Sequence, residues 1–171
     1  EDCAREGAAD ITVATSLMEA RLLTGSATLF EQMRAVTGPD RIWPDAAFFE
    51  AKRQERQQRC HRYNETAFNL EPNIKEGKGS LRDLQTLFWI AKYLYRVKDM
   101  KELGERGVFT PADSRHFRQI QNFLWTVRCH LHYVSGRPEE RLTFDVQNTI
   151  SKRLGYRDGG GVRGVERFMK H

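Results

Sequence analysis

The chain is 171 residues long, enough to bury a real core and best read as one domain with room for an appended piece. Charged residues make up 30% and aromatics 11%, a balance that excludes an intrinsically disordered segment, and no apolar run approaches membrane-spanning length. The net charge of +5 points to an acidic partner: a nucleotide, a nucleic acid or an acidic protein.

Helical periodicities dominate and strand patterns are nearly absent. Asp10 is placed to cap a helix from Ile11 to Thr24, with Ile11, Ala14, Leu17, Met18 and Leu22 on one broad stripe and Gly25 stopping it. Ser26 then caps a second helix through about Val36, and Gly38-Pro39-Asp40 breaks the chain. Pro44-Asp45 opens a third helix that should run to about Asn64. Its front is apolar, with Phe48 and Phe49, whereas Lys52 to Arg62 is almost wholly polar and reads as a solvated face. Arg53, Arg56, Arg59 and Arg62 on that face offer a docking surface for an acidic partner as the second reading.

A glycine loop follows, Asn69 to Asp83, and runs into a helix beginning near Ser80. That helix carries Leu81, Leu84, Leu87, Phe88, Ala91, Leu94 and Tyr95 at spacings of three and four, as a core helix does. A short helix covers Met100 to Glu105. Thr110-Pro111-Ala112-Asp113 then reads as a cap, a proline at the first helical position and an acid closing the first turn. Phe117, Ile120, Leu124, Val127, Leu131 and Val134 continue the period until Gly136. The expected fold is all-α: a helical bundle whose two long helices pack antiparallel at its centre. Asp145 to Leu154 forms a shorter helix stopped by Gly155, Gly159 to Gly161 is a joint, and Val165 to His171 begins another helix.

The chemistry concentrates at the loop. Gly77 and Gly79 allow close backbone approach, and the following helix start is expected to supply free N–H groups and the positive end of its dipole. With Lys75, Lys78 and Arg82, that junction suits a phosphate. A hinge with solvated lysines is the competing reading, and a structural pair of Arg82 with Asp83 that fixes the loop is another. Arg128, Arg137 and Arg141 form a second basic cluster, which meets the loop if the long helices are antiparallel neighbours. His130 and His132, two apart, face different sides of a helix and cannot share a metal; one of them is expected to be hydrogen-bonded near the core. There is no Gly-x-Ser-x-Gly elbow, Walker loop, Rossmann fingerprint or Asp-x-Asp, so no catalytic residue and no metal ligand is assigned to this chain. Cys3, Cys60 and Cys129 form neither a metal motif nor a disulfide framework and suggest a reducing cytoplasm. Nucleic acid is the weakest partner reading, since no helix-turn-helix or stacking platform is legible.

Asn73-Ile-Lys-Glu-Gly-Lys-Gly-Ser-Leu-Arg-Asp-Leu-Gln85 resembles the signature of the bacterial PII uridylyltransferase/uridylyl-removing enzymes. Asp10 to Gly25, Phe48 to Lys52, Leu131-His132, Gly136-Arg137, Arg141-Leu142, Asp145, Gln147, Leu154 to Tyr156 and Val165 to Lys170 are similar to the same family in the same order. Ser80 stands where that family usually has a second glycine.

The resemblance implies a modular enzyme. A nucleotidyltransferase domain moves UMP from UTP to the signalling protein PII with Mg²⁺, an HD domain removes it, and ACT domains sense glutamine. Residues 1–40 would then end the transferase domain, 41–158 would form a helical bundle of the kind that faces the nucleotide and substrate, and 159–171 would link to the HD domain. Because the chain starts on Glu1 and stops in what reads as mid-helix, it is expected to be a fragment. The catalytic carboxylates, Mg²⁺ and UTP would belong to the parent enzyme, leaving the fragment inactive and without a bound cofactor. PII, UTP and the neighbouring domains are the implied partners, with no membrane. Two alternatives stay open: a non-catalytic module that recruits PII through the charged 52–62 helix, and the equivalent domain of glutamine synthetase adenylyltransferase.

Overall fold

The computed structural model describes residues 1–39, 41–63 and 70–171; Asp40, Asn64 and Asn69, which figure in the boundaries expected above, lie outside them. The described residues form nine α-helices and no strand, with isolated bridges at Asn73–Arg141 and Gly159–Val162. In chain order the helices are α1 Asp2–Ala9, α2 Ile11–Met18, α3 Ala27–Thr37, α4 Asp45–Arg62, α5 Leu81–Tyr95, α6 Met100–Glu105, α7 Pro111–Ser135, α8 Phe144–Arg153 and α9 Gly164–Lys170. Two compact units result: Glu1–Gln57 with Thr86–Val108, and Gln58–Gln85 with Phe109–His171.

In the first unit α1, α2 and α3 pack on one another. Asp10 caps α2 by accepting from the amides of Thr12 and Val13, and Ser26 caps α3 through Leu29. The α2 helix ends at Met18, well before Gly25. The hydroxyls of Thr15 and Ser16 donate back to the carbonyls of Ile11 and Thr12, which weakens a helix. Leu22 and Leu23, which a longer helix would have to bury, are exposed. Further along, the Phe48 ring lies flat on Tyr93 at 3.7 Å between centroids, and the Tyr93 hydroxyl donates to the carbonyl of Trp43. Lys52 is 1% exposed and sits over the Trp89 ring, and Arg59 is buried, so these two turn inward while Arg53, Arg56 and Arg62 stay on the solvated face that the composition suggests. On α5, Leu81, Thr86, Ala91 and Tyr93 are buried, while Leu87 and Tyr95, expected in the core, are exposed.

The second unit is built on α7, α8 and α9, with α8 packed against both of the others. Its core joins Ile74, Val127, Leu131, Leu142, Ile150 and Phe168. The Thr110/Asp113 capping box starts α7, and Gly136 ends it in the left-handed conformation. Ile74 reaches this core from the glycine loop, so the loop is anchored by a buried aliphatic side chain at its entry.

Candidate functional site

The loop from Asn73 to Asp83 is organised by its first residue. The Asn73 side-chain oxygen accepts from the amides of Lys75 (3.0 Å) and Glu76 (2.7 Å), an Asx turn, while its carbonyl accepts from Gly77 N at 3.0 Å. Gly77 lies so close to Asn73 that a Cβ there would come within 2.6 Å of the Asn73 carbonyl oxygen. Gly79 takes φ +77°, open to glycine at little cost, and its amide donates to Asp83 Oδ2 at 2.8 Å. Ser80 is buried, and its hydroxyl donates to the Lys75 carbonyl at 2.7 Å, a bond a second glycine would lack. The first amides of α5 are also engaged: Leu81 N donates to Ile74 O, Arg82 N to Lys75 O, and those of Asp83 and Leu84 to Ser80 O. The donors expected to face an anion at this helix start thus close the loop on itself.

The side chains form a mixed-charge network. Asp83 pairs with Arg59, Nη2 to Oδ1 at 2.6 Å, and Arg59 also donates to the Glu76 carbonyl. Glu76 receives Arg82 at 3.2 Å and lies within 3.9 Å of Arg59 and 3.8 Å of Lys75 Nζ. Arg82 also donates to Gln85. Arg82 therefore pairs with Glu76, and Asp83 with Arg59. Lys75 is partly exposed, and Lys78 is exposed and makes no ion pair among the described residues.

Of the second basic cluster, Arg141 meets the loop, through its backbone. Ile74 N donates to Glu140 O at 2.8 Å and Leu142 N to Pro72 O at 2.9 Å, flanking the Asn73–Arg141 bridge. Phe144 N donates to the Glu71 carboxylate, and Gln147 Nε2 to the carbonyls of Leu70 and Leu142. Arg128 grips Glu140 with two bonds, 2.8 and 2.5 Å, and lies over the Trp125 ring. Arg137 pairs with Glu139 at 2.8 Å, whereas the Arg141 side chain is exposed. Burial pulls the Glu140 pKa upward, but the Arg128 bonds and charge, with His132 and Lys75 nearby, outweigh it and hold the carboxyl below its ordinary range.

Neither histidine is hydrogen-bonded as expected: His130 Nδ1 and His132 Nε2 are buried without a hydrogen-bond partner among the described residues, the latter 3.6 Å from Glu140 Oε1. Asn73 and Glu140 are site residues the sequence did not single out, and Arg59 entered only as one of the arginines of a docking surface. Asn73 carried a signal, an Asx residue opening a glycine-rich turn; Arg59 and Glu140 carried none, because their partners lie 24 and 12 residues away. Among the described residues no His, Cys, Asp and Glu side chains gather in threes as a metal site, and the donor set at the loop does not fit Mg²⁺, since Arg82 and Arg59 already engage Glu76 and Asp83.

The fold and the loop together define an all-α module whose basic glycine segment is braced to the chain that follows its longest helix. The GlnD PII-uridylyltransferase family matches residues 47–171, and the chain belongs to that family. It is 51% identical to the bifunctional uridylyltransferase/uridylyl-removing enzyme of Azospirillum brasilense and 50% identical to that of Rhodospirillum rubrum, over 100% of this chain and 18% of each relative. The protein of the same description from Rhodopseudomonas palustris is 48% identical over the same shares. The chain thus spans 18% of the length of these curated relatives. No solved structure matches it.

Proposed function

We propose that the chain is the helical, nucleotide- and substrate-facing part of a uridylyltransferase that moves UMP from UTP to PII in nitrogen signalling. In this reading residues 1–40 close the transferase domain, 41–158 form the helical bundle, and 159–171 lead toward an HD domain. Mg²⁺ and the carboxylates that hold it belong to other parts of the parent enzyme, and the chain alone neither transfers nor removes UMP. A cytoplasmic setting fits the free thiols Cys3, Cys60 and Cys129.

The observation that carries the reading is the braced loop, stitched to residues 140–142 and bearing Lys75 and Lys78 on its accessible side. A polyphosphate gains from cations carried on a backbone that needs no ordering on binding. Gly77 and Gly79 then serve by shaping the turn and Arg82 by holding Glu76, while Arg141 adds an exposed cation next to the bridge. Arg128 and Arg137 hold the supporting carboxylates Glu140 and Glu139.

The test is kinetic. In the full-length enzyme, Lys75→Ala with Lys78→Ala raises KM for UTP roughly tenfold, about 1.4 kcal/mol, and leaves thermal stability unchanged. Unchanged kinetics with UTP would remove the anion site, and UMP transfer by the purified chain would refute its inactivity. A second reading, recruitment of PII, draws on α4, where Arg53 and Arg62 are exposed although Lys52 and Arg59 are buried. Charge reversal at Arg53 and Arg62 abolishes PII capture under that reading and spares it under the first.

A further inference from the structure

A cleft of about 360 Å³ opens in the second unit between the end of α8 and the start of α9, away from the residues of the glycine loop in sequence and in lining. Asn148, Ser151 and Lys152 come from one face of α8, at spacings of three and four. Arg157 and Arg163 flank the turn that follows, and Gly164 closes the floor. A Cβ at Gly164 would fall 2.6 Å from the Tyr156 carbonyl oxygen, so a glycine lets the start of α9 lie against the 156–157 backbone. Asp158 Oδ1 accepts from Gly164 N at 2.7 Å and fixes that approach.

The lining has a chemical character. Arg163 is paired with Glu166 at 2.9 Å, but neither Lys152 nor Arg157 has an ion pair among the described residues. Ser151 is 1% exposed and lines the cleft. Beside the Asp158 carboxylate, which accepts from Gly164 N, the lining carries a hydroxyl, an ammonium and a guanidinium, all donors to the same kind of oxyanion. The cleft volume lies at the lower end of small-molecule sites.

We propose that this cleft is a second anion site that binds a phosphate group, with Ser151, Lys152 and Arg157 as its donors. Lys152 supplies a point charge, Arg157 a planar fork for two phosphate oxygens, and Ser151 a neutral hydrogen bond from the floor. The site stands independently of the glycine loop, so either can fail without the other.

The experiment is a titration of the 171-residue chain with inorganic phosphate and, separately, with UMP, followed by amide ¹H–¹⁵N shifts. Saturable shifts are expected at Ser151, Lys152, Arg157 and Gly164. Lys152→Gln with Arg157→Gln weakens binding at least tenfold, Ser151→Ala weakens it severalfold, and Lys152→Arg retains it. Lys75→Ala with Lys78→Ala leaves these shifts in place, which separates this site from the loop. Tighter binding of UMP than of phosphate identifies a phosphate ester as the ligand class, and equal binding identifies the free ion. Absence of saturable shifts at these amides, or equal binding by the doubly substituted chain with its melting temperature unchanged, overturns the proposal.

Discussion

Arg59 Nη2 stands 2.6 Å from Asp83 Oδ1, and this pair ties the end of α4 to the first turn of α5 across 24 residues of sequence. Both side chains are largely buried, and the other Asp83 oxygen holds the Gly79 amide. Removing either charge strands the other, which costs far more than an exposed pair would. Arg59→Met and Asp83→Asn are each expected to lower the unfolding free energy by about 3–5 kcal/mol. The double substitution should cost less than the two singles together, as a coupled pair requires. Urea denaturation of the four proteins checks this, and additive losses would show that the two residues act separately.

The glycines of the loop should respond differently to alanine. At Gly77 a Cβ would meet the Asn73 carbonyl oxygen at 2.6 Å, a backbone atom already holding the Gly77 amide, so relief requires breaking the Asx turn. At Gly79 nothing lies within 4 Å, and the cost is the left-handed backbone alone, about 1–2 kcal/mol. Gly77→Ala is therefore expected to be the more destabilising, and faster hydrogen exchange at Lys75 and Glu76 should accompany it. Equal losses for the two substitutions would count against the close approach.

Sequence reading recovered what local chemistry decides. The Thr110/Asp113 box, Gly136 and the Met100–Glu105 helix are set by groups within one turn of one another, and the structure has them where the pattern puts them. Failures came where tertiary contacts prevail. The inner stripe of α4 runs Phe48, Lys52, Glu55, Arg59, at helical spacing but charged at three of its positions, and polarity there disguised burial. Helix α1 was not anticipated: no side chain caps it, and its close contact with the unit is made by Gly7, whose carbonyl accepts from Trp43 Nε1. The loop's location was legible from its glycines, lysines and asparagine, but the assignment of each carboxylate to an arginine required the fold.

Glu140 should give the second unit a dependence on acid. Its folded pKa is depressed below the ordinary 4.5, so the stability it contributes is complete above that value and is lost as pH falls through the folded one. Glu140→Gln is expected to cost about 1.5–3 kcal/mol at pH 7, the range for hydrogen bonds to a charged group. Below pH 4.5 the difference between the parent chain and this variant should shrink toward the acid limit. Stability curves at several pH values read this directly, and a constant difference across the acid range would show that the charge on Glu140 is not what Arg128 recognises.

Lys52 tests how a lysine can be a core residue. Its side chain is 1% exposed, its ammonium lies 2.7 Å from Glu55 Oε2 and 4.8 Å from the centre of the Trp89 ring, and it follows Phe48 by one turn of α4. Two contributions are separable: the aliphatic stem, which fills space, and the charge, which meets a carboxylate and a ring face. Glu55 is one-third exposed, so it can be hydrated when its partner is lost. Lys52→Met keeps the stem and should cost no more than about 1–2 kcal/mol, while Lys52→Ala adds a cavity and should cost about 2–5 kcal/mol. Loss of the cation over the ring should also alter Trp89 fluorescence in both variants. If methionine costs as much as alanine, the charge and not the stem holds α4 in the first unit, and Lys52 is then an electrostatic anchor set inside an apolar stripe.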